Sequence, residues 1–140
     1  MSDLSHLLHE LVMTMDAQGE RKLAPFGLSM RRFVTLTIIG EHPGVVARQL
    51  ADAVGVTEAG MSGIVRDLAD AGLVRAEGVP GGGRAKPVTL TPAGARRLSE
   101  ATAALGGSFD DVVRAAGEDP DDLSARLARV IAQLNADPAD

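Results

Sequence analysis

The sequence contains no cysteine, tryptophan or tyrosine, and three phenylalanines are its whole aromatic content. Without cysteine, the chain can form no disulfide, no thiolate nucleophile and no thiol-based redox switch. With aromatics at 2% of the residues, stacking on the bases of single-stranded nucleic acid has almost nothing to use. These absences exclude thiol enzymes and argue against single-strand binding proteins that depend on stacking.

Long apolar runs are also lacking, since none approaches the roughly 18 residues that a membrane span needs. The first ten residues, MSDLSHLLHE, carry acidic side chains and no basic segment, so no secretory signal is expected. Hydrophobic residues nevertheless make up 45% of the 140 residues, which is enough for one folded domain over residues 1–140. We therefore expect a cytoplasmic protein that has no membrane partner.

Apolar residues recur at helical spacing along most of the chain, which predicts six helices. The first helix is predicted to begin at about residue 3, with Ser2 or Asp3 as its cap. The other five are predicted to begin after Ser29, at Ala47, after Thr57, after Thr91 and after Asp119. Gly106 and Gly107 should kink or break the fifth helix, because a glycine costs about 1 kcal/mol inside a helix.

The periodicity changes between the fourth and fifth helices. The segments LVRAEG and PVTLT have the pattern of two strands, and they flank a glycine-rich tip within GVPGGGRAKPVTL (residues 78–90). Two short helices joined by GVT and followed by a hairpin are typical of a winged helix-turn-helix. The predicted fold class is mainly α with a small β-hairpin wing.

The second helix of this unit has the composition of a recognition helix. Its apolar row of Met61, Ile64, Val65 and Leu68 predicts an inner face, which leaves small and polar residues outside. Small residues allow a helix to insert deeply into the major groove, and hydroxyls and arginine can bond phosphates or base edges. The candidate DNA-binding residues are Thr57, Ala59, Ser62, Gly63 and Arg66, with Arg84 in the minor groove and Lys86 beside it in the wing.

The charge distribution supports a DNA partner. Residues 45–97 carry seven basic and five acidic side chains, a net charge of +2, whereas the rest of the chain carries seven basic and fourteen acidic side chains, a net charge of -7. Positive potential is thus confined to the segment that would contact double-stranded DNA, in a chain whose net charge is -5.

The sequence resembles the MarR family of winged helix-turn-helix regulators. The resemblance runs through LSMRRFVTLTIIGEHPG, ARQLADAVGVTEAGMSGIVRDLADAGLV and RAKPVTLTPAGARRL, and the outer helices match in order and length. It implies a winged helix-turn-helix over residues 28–97 and dimerisation helices over 2–22 and 98–136. It also implies an obligate homodimer, a palindromic operator, usually repression, and often release by a small-molecule effector, for which we assign no pocket residues.

The chain departs from the family pattern at two places. Family wings usually carry an acidic residue two positions before the conserved arginine, whereas this chain has Gly82 before Arg84. The recognition helix also lacks the basic residues often found near its start and has Gly60 and Gly63, which fit either close helix packing or insertion into the groove. A second hypothesis is therefore a winged helix that has lost tight DNA binding and instead regulates a protein partner.

An enzyme is the third hypothesis, and the residues support it least. His6 and His9 are three residues apart with no third ligand evident, and the acidic cluster from Asp110 to Asp122 lacks the EF-hand pattern. The triple glycine is no phosphate-binding P-loop, because Lys86 is followed by Pro87 and no helix begins there. We predict no catalytic residue, no metal and no cofactor.

Overall fold

The computed structural model describes residues 3–77 and 85–136 of the chain. Within these ranges, seven α-helices, one short 3-10 helix and one antiparallel hairpin are present. The elements are α1 (Leu4–Leu23), the 3-10 helix (Ala24–Phe26), α2 (Met30–Glu41), α3 (Ala47–Val54), α4 (Glu58–Asp70), β1 (Val74–Ala76), β2 (Val88–Leu90), α5 (Pro92–Ala104), α6 (Phe109–Ala115) and α7 (Pro120–Ala136). This order confirms the mainly α fold with a hairpin after two short helices.

The helices begin at the predicted caps. The hydroxyl oxygens of Ser29, Thr57 and Thr91 each accept a hydrogen bond from the backbone N–H three residues later, at 3.1, 3.0 and 3.0 Å. Asp3 caps α1 through its carboxylate, and Ser2, the alternative cap, lies outside the described residues. Each cap satisfies a backbone donor that the first helical turn leaves without an intrahelical partner.

The glycine pair breaks the predicted fifth helix, as expected. α5 ends at Ala104, and Gly106 and Gly107 have positive φ angles of 85° and 106°, which residues with a Cβ rarely adopt. Ser108 then starts a new helix by accepting a hydrogen bond from the backbone N–H of Asp111 at 3.3 Å. The apolar row that begins at Phe109 therefore belongs to α6, a helix of its own.

The break coincides with a division of the chain into two compact units, Met1–Leu105 and Gly106–Asp140. The first unit contains the main hydrophobic core, to which α1 to α5 and both strands contribute. Its most deeply buried large side chains are Leu23, Leu36, Ile39, Leu50, Met61, Leu68 and Val88, together with Thr35. The hydroxyl of Thr35 donates to the backbone carbonyl of Arg31 at 2.8 Å, so this polar group is buried with a partner. In the second unit, Val113 of α6 is buried.

A glycine turn joins the two short helices α3 and α4. Gly55 has a φ of 83°, and its backbone N–H and that of Val56 both donate to the carbonyl of Ala51, at 2.9 and 3.1 Å. This left-handed exit ends α3 within one residue and allows α4 to begin after Thr57. Leu50 and Ala51 of α3 then share the core with the inner face of α4.

The hairpin strands are shorter than the sequence predicts. The three-residue strands pair in the register Val74 to Leu90, Arg75 to Thr89 and Ala76 to Val88. Leu73 does not extend β1, because its backbone N–H donates to the carbonyl of Leu68 and closes α4. Pro87 has no N–H to donate and precedes β2. Val88 also exchanges backbone hydrogen bonds with the segment before α3, donating to Val45 and accepting from Gly44, both at 2.9 Å.

The start of α5 is held against the end of α4. The Thr91 hydroxyl donates to the carbonyl of Gly72 at 2.6 Å, and the Thr91 backbone N–H donates to the carbonyl of Leu73 at 3.0 Å. Gly94 lies so close to Leu73 that a Cβ on Gly94 would overlap the Leu73 carbonyl oxygen. Within the LTPAG run, the threonine and the glycine thus let α5 approach the backbone at the exit of α4.

We predict that Gly94→Ala destabilises the protein, because the added methyl group collides with a backbone carbonyl that has no rotamer to relieve it. The expected loss is about 1–3 kcal/mol in the free energy of unfolding, measured by urea denaturation at equal protein concentration. Gly63→Ala is the matched control: a Cβ there meets no described atom within 4 Å, so the alanine should stabilise α4 by about 0.5–1 kcal/mol. Equal stability of Gly94→Ala and the wild type would contradict the overlap.

Candidate nucleic-acid interface

The two faces of α4 differ as the sequence predicts. Met61, Val65 and Leu68 are buried, and Ile64 is half-buried against the core. Glu58, Ala59, Ser62 and Arg66 are exposed on the other side. The inner row anchors the helix, and the outer row is free to meet a partner.

A groove of about 640 Å³ runs along one side of α4, between the start of α3 and the base of the hairpin, and the buried Val65 also lines it. It brings together three of the predicted DNA-binding residues, Ser62, Arg66 and Lys86. Thr57, Ala59 and Gly63 are on α4 or at its cap but do not line the groove. Arg84 lies outside the described residues, so its position in the wing stays a prediction.

Arg48 joins this groove, although the sequence pattern alone did not place it in the site. It is the second residue of α3, and its side chain is exposed. In helix-turn-helix proteins the first helix crosses the DNA backbone, so an exposed arginine at its start is suited to a phosphate contact. The signal that could have identified it is a basic residue directly after the predicted start of this helix.

The cap residue Thr57 has a structural role that limits how it can contact DNA. Its Oγ1 accepts from the backbone N–H of Gly60, and a Cβ on Gly60 would lie 3.1 Å from the same oxygen. The hydroxyl hydrogen remains available, so Thr57 can donate to a phosphate while it caps α4.

The described residues leave space around Gly63. This glycine is half-buried, and a Cβ built on it meets no described atom within 4 Å. Close packing within the described part of the chain therefore does not require glycine here, although a glycine in a helix interior lowers stability. Insertion of α4 into the groove of DNA stays the prediction for Gly63.

An ion pair connects α4 to α2. The Arg32 Nη2 lies 2.9 Å from the Asp67 Oδ2, and both side chains are exposed, at 40% and 57%. An exposed pair of this kind adds less than about 1 kcal/mol to stability. It occupies the Asp67 carboxylate, which keeps this acidic group of α4 bound to α2.

The groove has a mixed charge. Its described lining carries three cations, Arg48, Arg66 and Lys86, and one carboxylate, Glu58. The net charge of this surface is positive although that of the chain is -5, so the phosphates of a duplex would be attracted to this side of the molecule.

Within residues 3–77 and 85–136, no group of three or more histidine, aspartate or glutamate side chains could hold a metal ion. Across the same residues, each helix is too short or too polar to cross a bilayer. The groove beside α4 brings three of the seven predicted DNA-binding residues together.

Comparisons with known proteins agree with this geometry. A family model described as MarR family matches residues 26–85, which include α2, α3, α4 and β1. The HTH-type transcriptional repressor Rv2887 of Mycobacterium tuberculosis is 32% identical over 133 residues, which are 95% of this chain and 83% of that protein. The chain belongs to the MarR family.

Solved structures of MarR-family proteins share its fold. M. tuberculosis Rv2887 in complex with salicylic acid has a TM-score of 0.64 at 27% identity and covers 96% of this chain and 97% of its own. CouR of Rhodococcus jostii RHA1, bound to p-coumaroyl-CoA, has a TM-score of 0.75 at 23% identity, with coverage of 99% and 96%. Wild-type MarR of E. coli in its apo form has a TM-score of 0.70 at 18% identity, with coverage of 96% and 98%, and these last two show the fold alone.

Membership of the MarR family makes this protein a transcriptional regulator and not an enzyme. It also confirms the winged helix-turn-helix class, with α3 and α4 as the helix pair and the strands β1 and β2 as the base of the wing.

We predict that Arg48→Ala weakens duplex binding mainly through its salt dependence. We expect each Arg48 to neutralise one phosphate. The slope of log affinity against log salt should therefore become shallower by about 0.9 for each Arg48 contact that the variant loses. Thermal stability should not change, because the side chain is exposed. Arg96→Ala removes an exposed arginine of α5 that does not line the groove, and it should leave the slope unchanged. Identical slopes for both variants would remove Arg48 from the interface.

Proposed function

We propose that this MarR-family regulator binds a palindromic operator as a homodimer and releases it when a small-molecule effector binds. One observation carries the DNA-binding part: Arg48, Ser62, Arg66 and Lys86 meet in one groove beside α4. The proposal keeps a single functional domain over residues 1–140, with the winged helix-turn-helix at 28–97. A cytoplasmic location follows from the proposed DNA partner.

In the proposed complex, α4 enters the major groove and the wing lies over the adjacent minor groove. Ser62 and Arg66 face base edges or phosphates, and Thr57 donates to a phosphate beside the start of the helix. Ala59 and Gly63 provide little bulk on the exposed side, which allows close approach. Lys86 lies at the base of the wing and contacts the backbone, and Arg84 is assigned to the minor groove.

The homodimer is supported by the apolar faces of the outer helices. In the first unit, α1 exposes Leu4, Leu7, Leu8, Leu11 and Val12, with Leu4 at 67%. In the second unit, α7 exposes Val130, Ile131 and Leu134, with Leu134 at 71%. Obligate interfaces are typically formed by such rows of large apolar side chains and bury about 2,000 Å² or more.

We predict a dimer at micromolar concentration, measured by sedimentation velocity. Leu8→Glu should shift the protein toward the monomer, because it puts a charge into the proposed interface, whereas Glu10→Gln, on an exposed position of the same helix, should not. A wild-type protein that sediments as a monomer would contradict the dimer.

The effector class is proposed from the relatives. M. tuberculosis Rv2887 has been solved with salicylic acid and with p-aminosalicylic acid. Since this chain is 32% identical to Rv2887, aromatic carboxylates are the class we propose first for its effector. The expected effect is a weaker affinity for the operator when salicylate is present.

The test of the whole proposal is binding to a duplex that carries the protein's own promoter, titrated over about 50–200 mM salt.

Arg84→Ala should cost about 1–3 kcal/mol of operator affinity if Arg84 enters the minor groove. Lys86→Ala should act mostly on the salt slope, with little change in sequence preference. Gly82→Asp should tighten binding only if the new carboxylate orients the Arg84 guanidinium, and the double mutant measures that coupling.

Two outcomes would reject parts of the proposal. Wild-type affinity in Arg84→Ala, with no coupling to Gly82→Asp, would remove the wing from the interface. An absence of salt-dependent binding to any duplex would instead favour the winged helix that regulates a protein partner.

A further inference from the structure

Glu58 occupies an unexpected place in the candidate interface. It is the first residue of α4, it is exposed, and its side chain lines the groove together with Arg48, Ser62 and Arg66. It is the one acidic residue among the described residues that line this groove. A carboxylate on a surface that meets phosphates is repelled by them, so its presence there needs a physical reason.

The fold of the described residues makes little use of this carboxylate. The ion pairs there are Arg32 with Asp67, Arg114 with Asp111 and Arg126 with Asp122, so no described cation lies within 4.0 Å of Glu58. The cap of α4 comes from Thr57, not from Glu58. The helix dipole favours a negative charge in the first turn, but this effect is present without DNA and does not depend on which side of α4 the charge faces.

The chemistry of the major groove supplies a partner for a carboxylate. An ionised glutamate only accepts hydrogen bonds, and the base edges that donate in the major groove are the amino groups of cytosine and adenine. Adenine places the acceptor N7 beside its amino group, and that lone pair faces an approaching carboxylate unfavourably. Cytosine has no acceptor of its own beside the N4 amino group in the major groove, which makes it the base that glutamate pairs with.

The position of Glu58 on α4 suits base readout. In helix-turn-helix proteins, the N-terminal residues of the recognition helix reach the base edges, while the preceding helix crosses the DNA backbone. Asp70 shows the contrast, because it is exposed at the other end of the same helix and does not line the groove.

We infer that Glu58 is a specificity-determining residue that accepts a hydrogen bond from a cytosine amino group in each half of the operator. Glu58 discriminates in two ways. At the correct base pair, the hydrogen bond from the cytosine amino group offsets the repulsion between the Glu58 carboxylate and the DNA phosphates. At every other base pair, this repulsion is not offset. This inference rests on the proposed DNA-binding function and adds the base that one side chain reads.

The experiment is selection of binding sites from a pool of random duplexes, using the full-length wild type, Glu58→Gln, Glu58→Ala and the control Asp70→Asn. The wild type should enrich a palindrome in which one C·G pair per half-site is required, and replacing this pair should weaken binding by about tenfold. Glu58→Gln should change the preference at this same position to A·T, because glutamine pairs with the N6 and N7 of adenine. A change of base preference is a readout that loss of folding cannot produce.

The two other variants complete the test. Glu58→Ala should accept all four base pairs at this position and should bind an unrelated duplex more tightly than the wild type, since one repulsive charge is gone. Asp70→Asn removes the same charge from α4 and should keep the wild-type preference at every position. If Glu58→Ala and Glu58→Gln both enrich the wild-type site, and both lose as much affinity as the wild type when the C·G pair is replaced, the inference is wrong while DNA binding stands. If the wild type enriches no site, the inference and the proposed function both fail.

Discussion

The contact between the first turn of α5 and the exit of α4 is the constraint on which the arrangement of the interface depends. Thr91 bonds the carbonyls of Gly72 and Leu73, and Gly94 allows the two backbones to touch. The chain between these two points is the hairpin, so this contact closes the wing at its base. β1 and β2 contribute three residues each, too few for a stable hairpin alone, and the wing is therefore held by its junction with the helices.

α4 is held in place by the hydrophobic core and by α2. Met61, Val65 and Leu68 anchor it in the core, and Arg32 of α2 holds the Asp67 carboxylate at 2.9 Å. α2 is in turn bonded to α1, because the Glu20 carboxylate accepts from the backbone N–H of Met30 at 2.8 Å. The helix proposed to read DNA and a helix proposed to form the dimer are thus both joined to α2.

Electrostatics limits what such an acidic protein can bind. A chain with a net charge of -5 is repelled by DNA at long range unless its cations are gathered on one side. Arg48, Arg66 and Lys86 meet that condition in the groove beside α4, and the ion pair of Asp67 with Arg32 keeps a carboxylate of the same helix neutralised. Glu58 remains as the groove's acidic member, and a charge that opposes general affinity can increase the selectivity of binding.

The sequence by itself determined what depends on neighbours along the chain. The caps Ser29, Thr57 and Thr91, the turn at Gly55 and the break at Gly106 and Gly107 all follow from the chemistry of a few consecutive residues. The buried row of α4 was likewise evident from its helical spacing, and the family could be inferred from motifs spread over most of the chain. Of the predicted interface, Ser62, Arg66 and Lys86 meet in one groove, and the assignment of Arg84 awaits the binding experiments.

The tertiary structure alone decided what depends on residues far apart in the chain. That Arg48 and Glu58 share a groove with Lys86 requires α3, α4 and the hairpin to be packed together, and no local pattern contains this information. The two glycines at positions 63 and 94 look alike in sequence, yet a methyl group would meet open space at one and a backbone carbonyl at the other. The strands also ended earlier than their pattern suggested, because Leu73 closes α4 and Thr91 caps α5. Buried backbone groups need hydrogen-bond partners, and which partners they find is settled only when segments far apart in the chain pack together.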